Sequence, residues 1–239
     1  DIAKATASGS VAVGRDAKAL DVSAIALGKS ANASASAAVS IGLSTIASGI
    51  NSTAIGEGSK STGQASVSLG DGASSSAANA LAFGRSASAL DLDAIAIGSS
   101  ANASAGTSIA MGKESVATKI GAVAIGSVNE ASGQNSIAVG YNSKAVERNA
   151  ISIGSSSNAS GSYATAVGSS AAASGLNSAS FGNSSKASGI SATALGDSAK
   201  ATSENSLALG RSTVASAVGS VAVGNSANAA GTSSIAQGD

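Results

Sequence analysis

Large and small side chains alternate along this chain in a pattern that repeats every 14 residues. Glycine occupies every fourteenth position from Gly14 to Gly238, 17 times without an insertion, and we call these residues the ladder glycines. The residue before the ladder glycine is large and apolar in 16 of 17 coils, and the residue three before it in 13 of 17. The residues two and four before it are Ala or Ser in every coil. This period of two predicts a short strand ahead of each ladder glycine.

The second half of each coil follows a similar pattern. Small residues stand three and five positions after the ladder glycine, as at Ala17 and Ala19, and a turn residue such as Gly49 or Asp91 often stands seven after it. The pattern therefore predicts that each coil consists of a strand, a glycine turn, a second strand and a looser turn. No apolar face with helical spacing occurs, so the pattern predicts an all-β parallel solenoid of 14-residue coils.

The alternation leaves two ways to orient the strands. If the Ala and Ser positions fill the narrow space between the two sheets, the Val, Ile and Leu positions form an outward apolar stripe; the alternative places the large residues inside. We favour the first arrangement. Such a stripe exceeds what monomers normally expose, so it predicts self-association around a common axis. The candidate interface residues are Val11, Val13, Ile25, Leu27, Ile95, Ile97, Ile109, Met111, Val123, Ile125, Ile137, Val139, Ile151, Ile153, Leu207, Leu209, Val221 and Val223.

Composition narrows the possible functions. The chain has 30 Gly, no Pro, Cys, His or Trp, and 11% charged residues that sum to zero net charge. Zero net charge argues against a nucleic-acid partner, and no apolar run reaches the length of about 20 residues that spans a bilayer as a helix. Without His and Cys, the usual nucleophile–base arrangements and zinc sites cannot be assembled. We therefore predict no catalytic residue, no metal site, no cofactor and no enzymatic activity.

One segment carries a family motif. Residues 135–143, with the sequence NSIAVGYNS, closely resemble the NSVAIGxxS head repeat of trimeric autotransporter adhesins, the YadA-like surface proteins of Gram-negative bacteria. Residues 51–59 and 205–210 are further copies, and Thr213 stands where the second copy would have Ser. Other coils have a different residue in place of the leading Asn, namely Ser23, Ala37, Asp93, Thr107, Gly121 and Tyr163.

The resemblance implies a left-handed parallel β-roll and a side-by-side homotrimer. It also implies a location on the bacterial cell surface, anchored in the outer membrane through a C-terminal region that these residues do not include. We expect residues 1–239 to form a single head of about 17 coils, without the neck, coiled-coil stalk and anchor of the family. The implied partners are host cells or extracellular matrix proteins such as collagen, fibronectin or laminin. The candidate ligand contacts are Asn135, Ser136, Ile137, Ala138, Val139, Gly140 and Ser143.

Two other functions remain open from the sequence. The chain could be a structural spacer that binds nothing itself, or a module for bacterial self-association. An ice-binding solenoid is disfavoured, because Thr residues are scattered rather than arranged in a regular ladder.

Overall fold

The computed structural model describes residues 2–239, and these residues form only strands and turns. They divide into two compact units, one ending at Gly121 and one running from Ala122 to Asp239, and each is described by itself. Both units are parallel β-solenoids in which strands recur about every 14 residues, as the sequence predicted. None of the described residues lies in a helix with the length and hydropathy needed to cross a membrane.

Each unit contains one sheet built from the strands that precede the ladder glycines, which we call the apolar sheet. In the first unit its strands are Val11–Val13, Ile25–Leu27, Val39–Ile41, Thr53–Ile55, Val67–Leu69, Leu81–Phe83, Ile95–Ile97 and Ile109–Met111. In the second unit they are Val123–Ser127, Ile137–Tyr141, Ile151–Ile153, Thr165–Val167, Ala179–Phe181, Thr193–Leu195, Leu207–Leu209, Val221–Val223 and Ile235–Gln237.

The second sheet of each unit, which we call the polar sheet, consists of two-residue strands that follow the ladder glycines. In the first unit these are Lys4–Ala5, Lys18–Ala19, Asn32–Ala33, Ile46–Ala47, Lys60–Ser61, Ser74–Ser75, Ser88–Ala89, Asn102–Ala103 and Val116–Ala117. In the second unit they are Glu130–Ala131, Lys144–Ala145, Asn158–Ala159, Ala172–Ala173, Lys186–Ala187, Lys200–Ala201, Val214–Ala215 and Asn228–Ala229.

Most strands are shorter than the four residues that the alternation suggested, because the turns take up the flanking residues. The amide of Ser52 donates to the carbonyl of Gly49 at 3.1 Å, which closes a turn instead of joining the sheet. The turns also bond to the next coil, since the Ser44 amide donates to the Lys29 carbonyl at 2.9 Å. Backbone hydrogen bonding thus continues from strand into turn, and proline, which has no amide hydrogen, is absent from the sequence.

The interior of each unit is made of small side chains, which confirms the small-inside arrangement. Ala26, Ala54 and Ala96 in the first unit, and Ala138 and Ala166 in the second, have no exposed surface. The register of neighbouring strands places equivalent coil positions side by side, so that Ala96 lies beside Ala110 and Ile95 beside Ile109. Because two facing rows of Ala and Ser fill the space between the sheets, the adjacent large residues point outward.

Several interior positions are serines whose hydroxyls bond to one another. Ser180 and Ser185 lie 2.7 Å apart (Oγ to Oγ), and Ser185 also donates to the Gly182 carbonyl at 2.9 Å. In the first unit, Ser68 and Ser75 pair at 2.6 Å. Pairing satisfies most of these buried hydroxyls, each of which would be costly to bury alone.

Among the described residues, three interior side chains are larger than Ser, namely Thr45, Thr213 and Asn129, and Asn129 is the largest of them. Asn129 is 1% exposed, and its side-chain amide donates to the carbonyls of Ile125 at 2.6 Å and Gly140 at 2.7 Å. Its Oδ1 accepts the Ser143 amide at 2.7 Å. The side chain therefore replaces backbone turn contacts, and the strands on either side of it, Val123–Ser127 and Ile137–Tyr141, are the two that extend to five residues.

Candidate binding and assembly surfaces

The apolar sheet presents a continuous row of large side chains on the outside of each unit, which we call the apolar face. None of the 18 predicted interface residues is buried. Phe83 is 49% exposed in the first unit and Leu195 is 45% exposed in the second. Side chains of neighbouring coils stack on one another in register, which covers part of their surface. The apolar face is an unpaired hydrophobic surface in each unit.

A second set of exposed apolar residues lies at the looser turn, eight positions after the ladder glycine. We call it the edge row, and it consists of Val22, Ile50, Leu92 and Ile120 in the first unit and Leu176, Ile190 and Val218 in the second. These side chains are 45% to 59% exposed. The alternation of large and small residues does not predict this row, because Gly, Gln, Ser, Arg and Glu occupy the same position in other coils. A count by coil position would have found it.

The candidate ligand contacts separate into outer and inner residues. Ser136, Ala138 and Ser143 have no exposed surface, because they belong to the interior rows. Asn135 is exposed at the looser turn, and Ile137 and Val139 lie partly exposed on the apolar face. Gly140 is the ladder glycine of this coil. A ligand bound to the intact coil can therefore touch the side chains of Asn135, Ile137 and Val139 but not those of the three interior residues.

The leading Asn of the motif has a conformational explanation. Asn51, Asn135 and Asn205 have φ of 58°, 54° and 55°, in the left-handed region. Asn tolerates this region better than other residues with a side chain, apart from Asp and His. The residues that replace it share the conformation, with φ of 56° at Ser23, 55° at Asp93 and 58° at Tyr163, for example. The backbone conformation is by itself a sufficient reason for Asn at this position.

The polar sheet has a different outer surface. The first residues of the two-residue strands form its outward row. Six of these residues are lysines, one is the carboxylate Glu130, and the others are uncharged. We call it the lysine row; its lysines are Lys4, Lys18 and Lys60 in the first unit and Lys144, Lys186 and Lys200 in the second. All six are exposed. Lys144 lies 3.8 Å from Glu130 (Nζ to Oε2). The row places positive charge on the polar sheet of each unit, in a chain whose net charge is zero.

Comparison with known families identifies the coil. The model of the YadA head domain repeat matches residues 47–73, 75–101, 92–115, 103–129, 131–157, 145–171, 159–185, 173–197, 187–213 and 215–239. These segments together cover well over half of the chain. The chain belongs to the YadA head family. YadA-like proteins are surface-displayed adhesins of the outer membrane, and the family is not known to be enzymatic.

Among solved structures, the chain is similar to the crystal structure of the collagen-binding domain of the Yersinia adhesin YadA. The two sequences are 19% identical, and the match covers 85% of this chain and 67% of the other, with a TM-score of 0.18. No curated protein sequence matches the chain. The membership in the YadA head family therefore rests on the repeat model and on the 14-residue coil.

Proposed function

We propose that this chain is the head of a trimeric adhesin that attaches bacteria to host cells or to an extracellular matrix protein such as collagen, fibronectin or laminin. It is displayed on the cell surface and held in the outer membrane by a C-terminal region of the same protein. The observation that carries the proposal is the match to YadA head repeats in ten segments between residues 47 and 239. A head built from repeated coils offers many similar weak contacts, and three chains on one stalk would add avidity.

The apolar face supports the homotrimer. Large side chains recur along it at two positions per coil, including Ile137 and Val139 in the second unit and Ile95 and Ile97 in the first, and these four side chains remain partly exposed. Complete burial of an exposed Val, Leu or Ile side chain contributes about 1.5–3 kcal/mol, and covering the exposed part of each of these side chains contributes a fraction of that. Three identical chains that turn this face toward a common axis cover it with the fewest distinct contacts. The edge row adds apolar surface at the looser turn for contacts between neighbouring protomers.

The test of adhesion is binding of the purified chain to immobilised collagen, fibronectin and laminin and to cultured host cells. Saturable binding to one of them supports the adhesin and names its partner. Asn135→Ala removes an exposed Asn from the looser turn. The control variant is Asn225→Ala, which removes an exposed Asn from the turn after the ladder glycine Gly224. If Asn135 contacts the ligand, only the first variant weakens binding; if its role is conformational, the first variant loses stability instead.

Absence of binding to every component of the panel would contradict the adhesin and favour the spacer. Turbidity of cells that display the chain then separates the spacer from self-association, because only a self-associating head makes the suspended cells settle.

A further inference from the structure

Two lysines of the lysine row stand side by side without a counter-charge. Lys186 and Lys200 are direct register partners on adjacent parallel strands, which places their backbones about 4.8 Å apart. Both side chains are exposed, and among the described residues neither makes an ion pair. Like charges directly opposite each other on one face of a sheet are destabilising, so this pairing opposes folding unless an anion neutralises it.

The surroundings of this pair suit an anionic group. Ser188 and Thr202 lie two positions after the two lysines, at the ends of the same strands, and offer hydroxyl donors on the same side of the coil. No large apolar or aromatic residue occupies the outward row between Glu130 and Lys200, where the remaining residues are Asn158 and Ala172. The first unit repeats the lysine pair, since Lys4 and Lys18 are also register partners, but Leu20 stands where Thr202 stands in the second unit.

We propose that the outer surface of the polar sheet binds a sulfated linear polysaccharide, with Lys186 and Lys200 as the principal contacts in the second unit. A linear polyanion presents sulfate groups at intervals along its length and can lie along the lysine row, where one charged group meets both ammonium groups. An anionic membrane is the less suitable partner, because the outward row of the second unit has a single large apolar side chain, Val214 beside Lys200, to enter the lipid surface. This binding uses the face opposite the proposed trimer interface and does not depend on which matrix protein the head binds.

The test measures the affinity of the purified chain for heparin across a range of salt concentrations. Lys186→Gln/Lys200→Gln is compared with Lys29→Gln/Lys119→Gln, which removes the same charge from two exposed turn lysines. Release of counterions makes log Kd depend linearly on log salt, with a slope set by the number of charges neutralised. We expect the Lys186/Lys200 variant to lower that slope by about two and the control variant to leave it close to the wild type.

Two further measurements complete the test. Vesicles that contain phosphatidylserine replace heparin in a parallel assay, and thermal unfolding is recorded with and without heparin. We expect heparin to raise the melting temperature of the wild type and of the control variant by more than that of the Lys186/Lys200 variant, which keeps the lysine pair of the first unit. The proposal would be overturned if both variants lost heparin affinity equally, or if the wild type did not bind heparin at low salt. Tighter binding of the wild type to the vesicles than to heparin would also overturn it. Collagen binding by the same preparations reports separately on the adhesin.

Discussion

At the scale of single residues, the coil is governed by backbone conformations that few residues adopt easily. From Gly9 to Ser233 every seventh residue has a positive φ between 52° and 68°, so each 14-residue coil consists of two half-coils with the same turn geometry. The ladder glycines add a second requirement. Gly70 has φ of 133°, and a Cβ built there would lie 2.6 Å from the carbonyl oxygen of Gly84 in the next coil. Only glycine meets both conditions.

Val128 occupies one of these left-handed positions, with φ of 60°, although a β-branched residue is strained there. We expect Val128→Gly to stabilise the fold by about 1 kcal/mol, because relief of the strain exceeds the added flexibility of the unfolded chain. The reciprocal variant is Gly58→Val, since Gly58 has φ of 63° and no atom within 4 Å of a Cβ built there. That variant should cost about 1–2 kcal/mol through conformation alone. Thermal unfolding measures both, and an unchanged melting temperature for Gly58→Val would refute the conformational account.

At the scale of the coil, the narrow interior sets the energetics. The space between the two sheets accepts Ala and Ser, and any larger side chain must make its own hydrogen bonds, as Asn129 does. Most serines in this interior bond to a partner hydroxyl or to a carbonyl, and Ser52, Ser59, Ser136 and Ser178 are buried without either. Packing and hydrogen bonding are therefore coupled between positions five residues apart, such as Ser180 and Ser185.

The Ser180–Ser185 pair predicts unequal costs for its two alanine variants. In Ser180→Ala, Ser185 keeps its bond to the Gly182 carbonyl, so we expect a loss below about 1 kcal/mol. In Ser185→Ala, the Ser180 hydroxyl stays buried without that partner, so we expect a loss of about 1–3 kcal/mol. The double variant should cost less than Ser185→Ala alone. Chemical denaturation of the wild type and the three variants measures these differences, and equal losses in the two single variants would contradict the unequal roles of the two hydroxyls.

Ala138 tests the packing of the interior directly. It is fully buried, and Ala138→Leu would force three additional heavy atoms into the space between the sheets. We expect a loss of about 1–3 kcal/mol, whereas Val139→Leu on the neighbouring outer position should change stability by less than about 1.5 kcal/mol. Thermal unfolding compares the two variants. A larger loss for Val139→Leu would mean that the outer position is the more tightly packed of the two.

At the scale of the whole molecule, the sequence predicted the solenoid and the orientation of its strands, because the 14-residue period and the Ala and Ser rows directly reflect the packed interior. The left-handed turn positions were not predictable, since Ser44, Ala65 and Val128 have no preference for positive φ. The edge row was missed because residues such as Ile190 share their coil position with polar residues. The handedness of the coil and the number of chains remain predictions from the family.

The trimer is the central claim of this account, and sedimentation equilibrium of the purified chain tests it most directly. The chain has a mass of 22.0 kDa, so the wild type should sediment at about three times that mass. Ile137→Asp/Val139→Asp places two charges on the apolar face and should shift the protein toward the monomer. Asn158→Asp/Ser160→Asp adds the same charge to the polar sheet and should leave the assembly intact. A wild type that sediments as a monomer, or an Ile137/Val139 variant that remains a full trimer, would contradict the account.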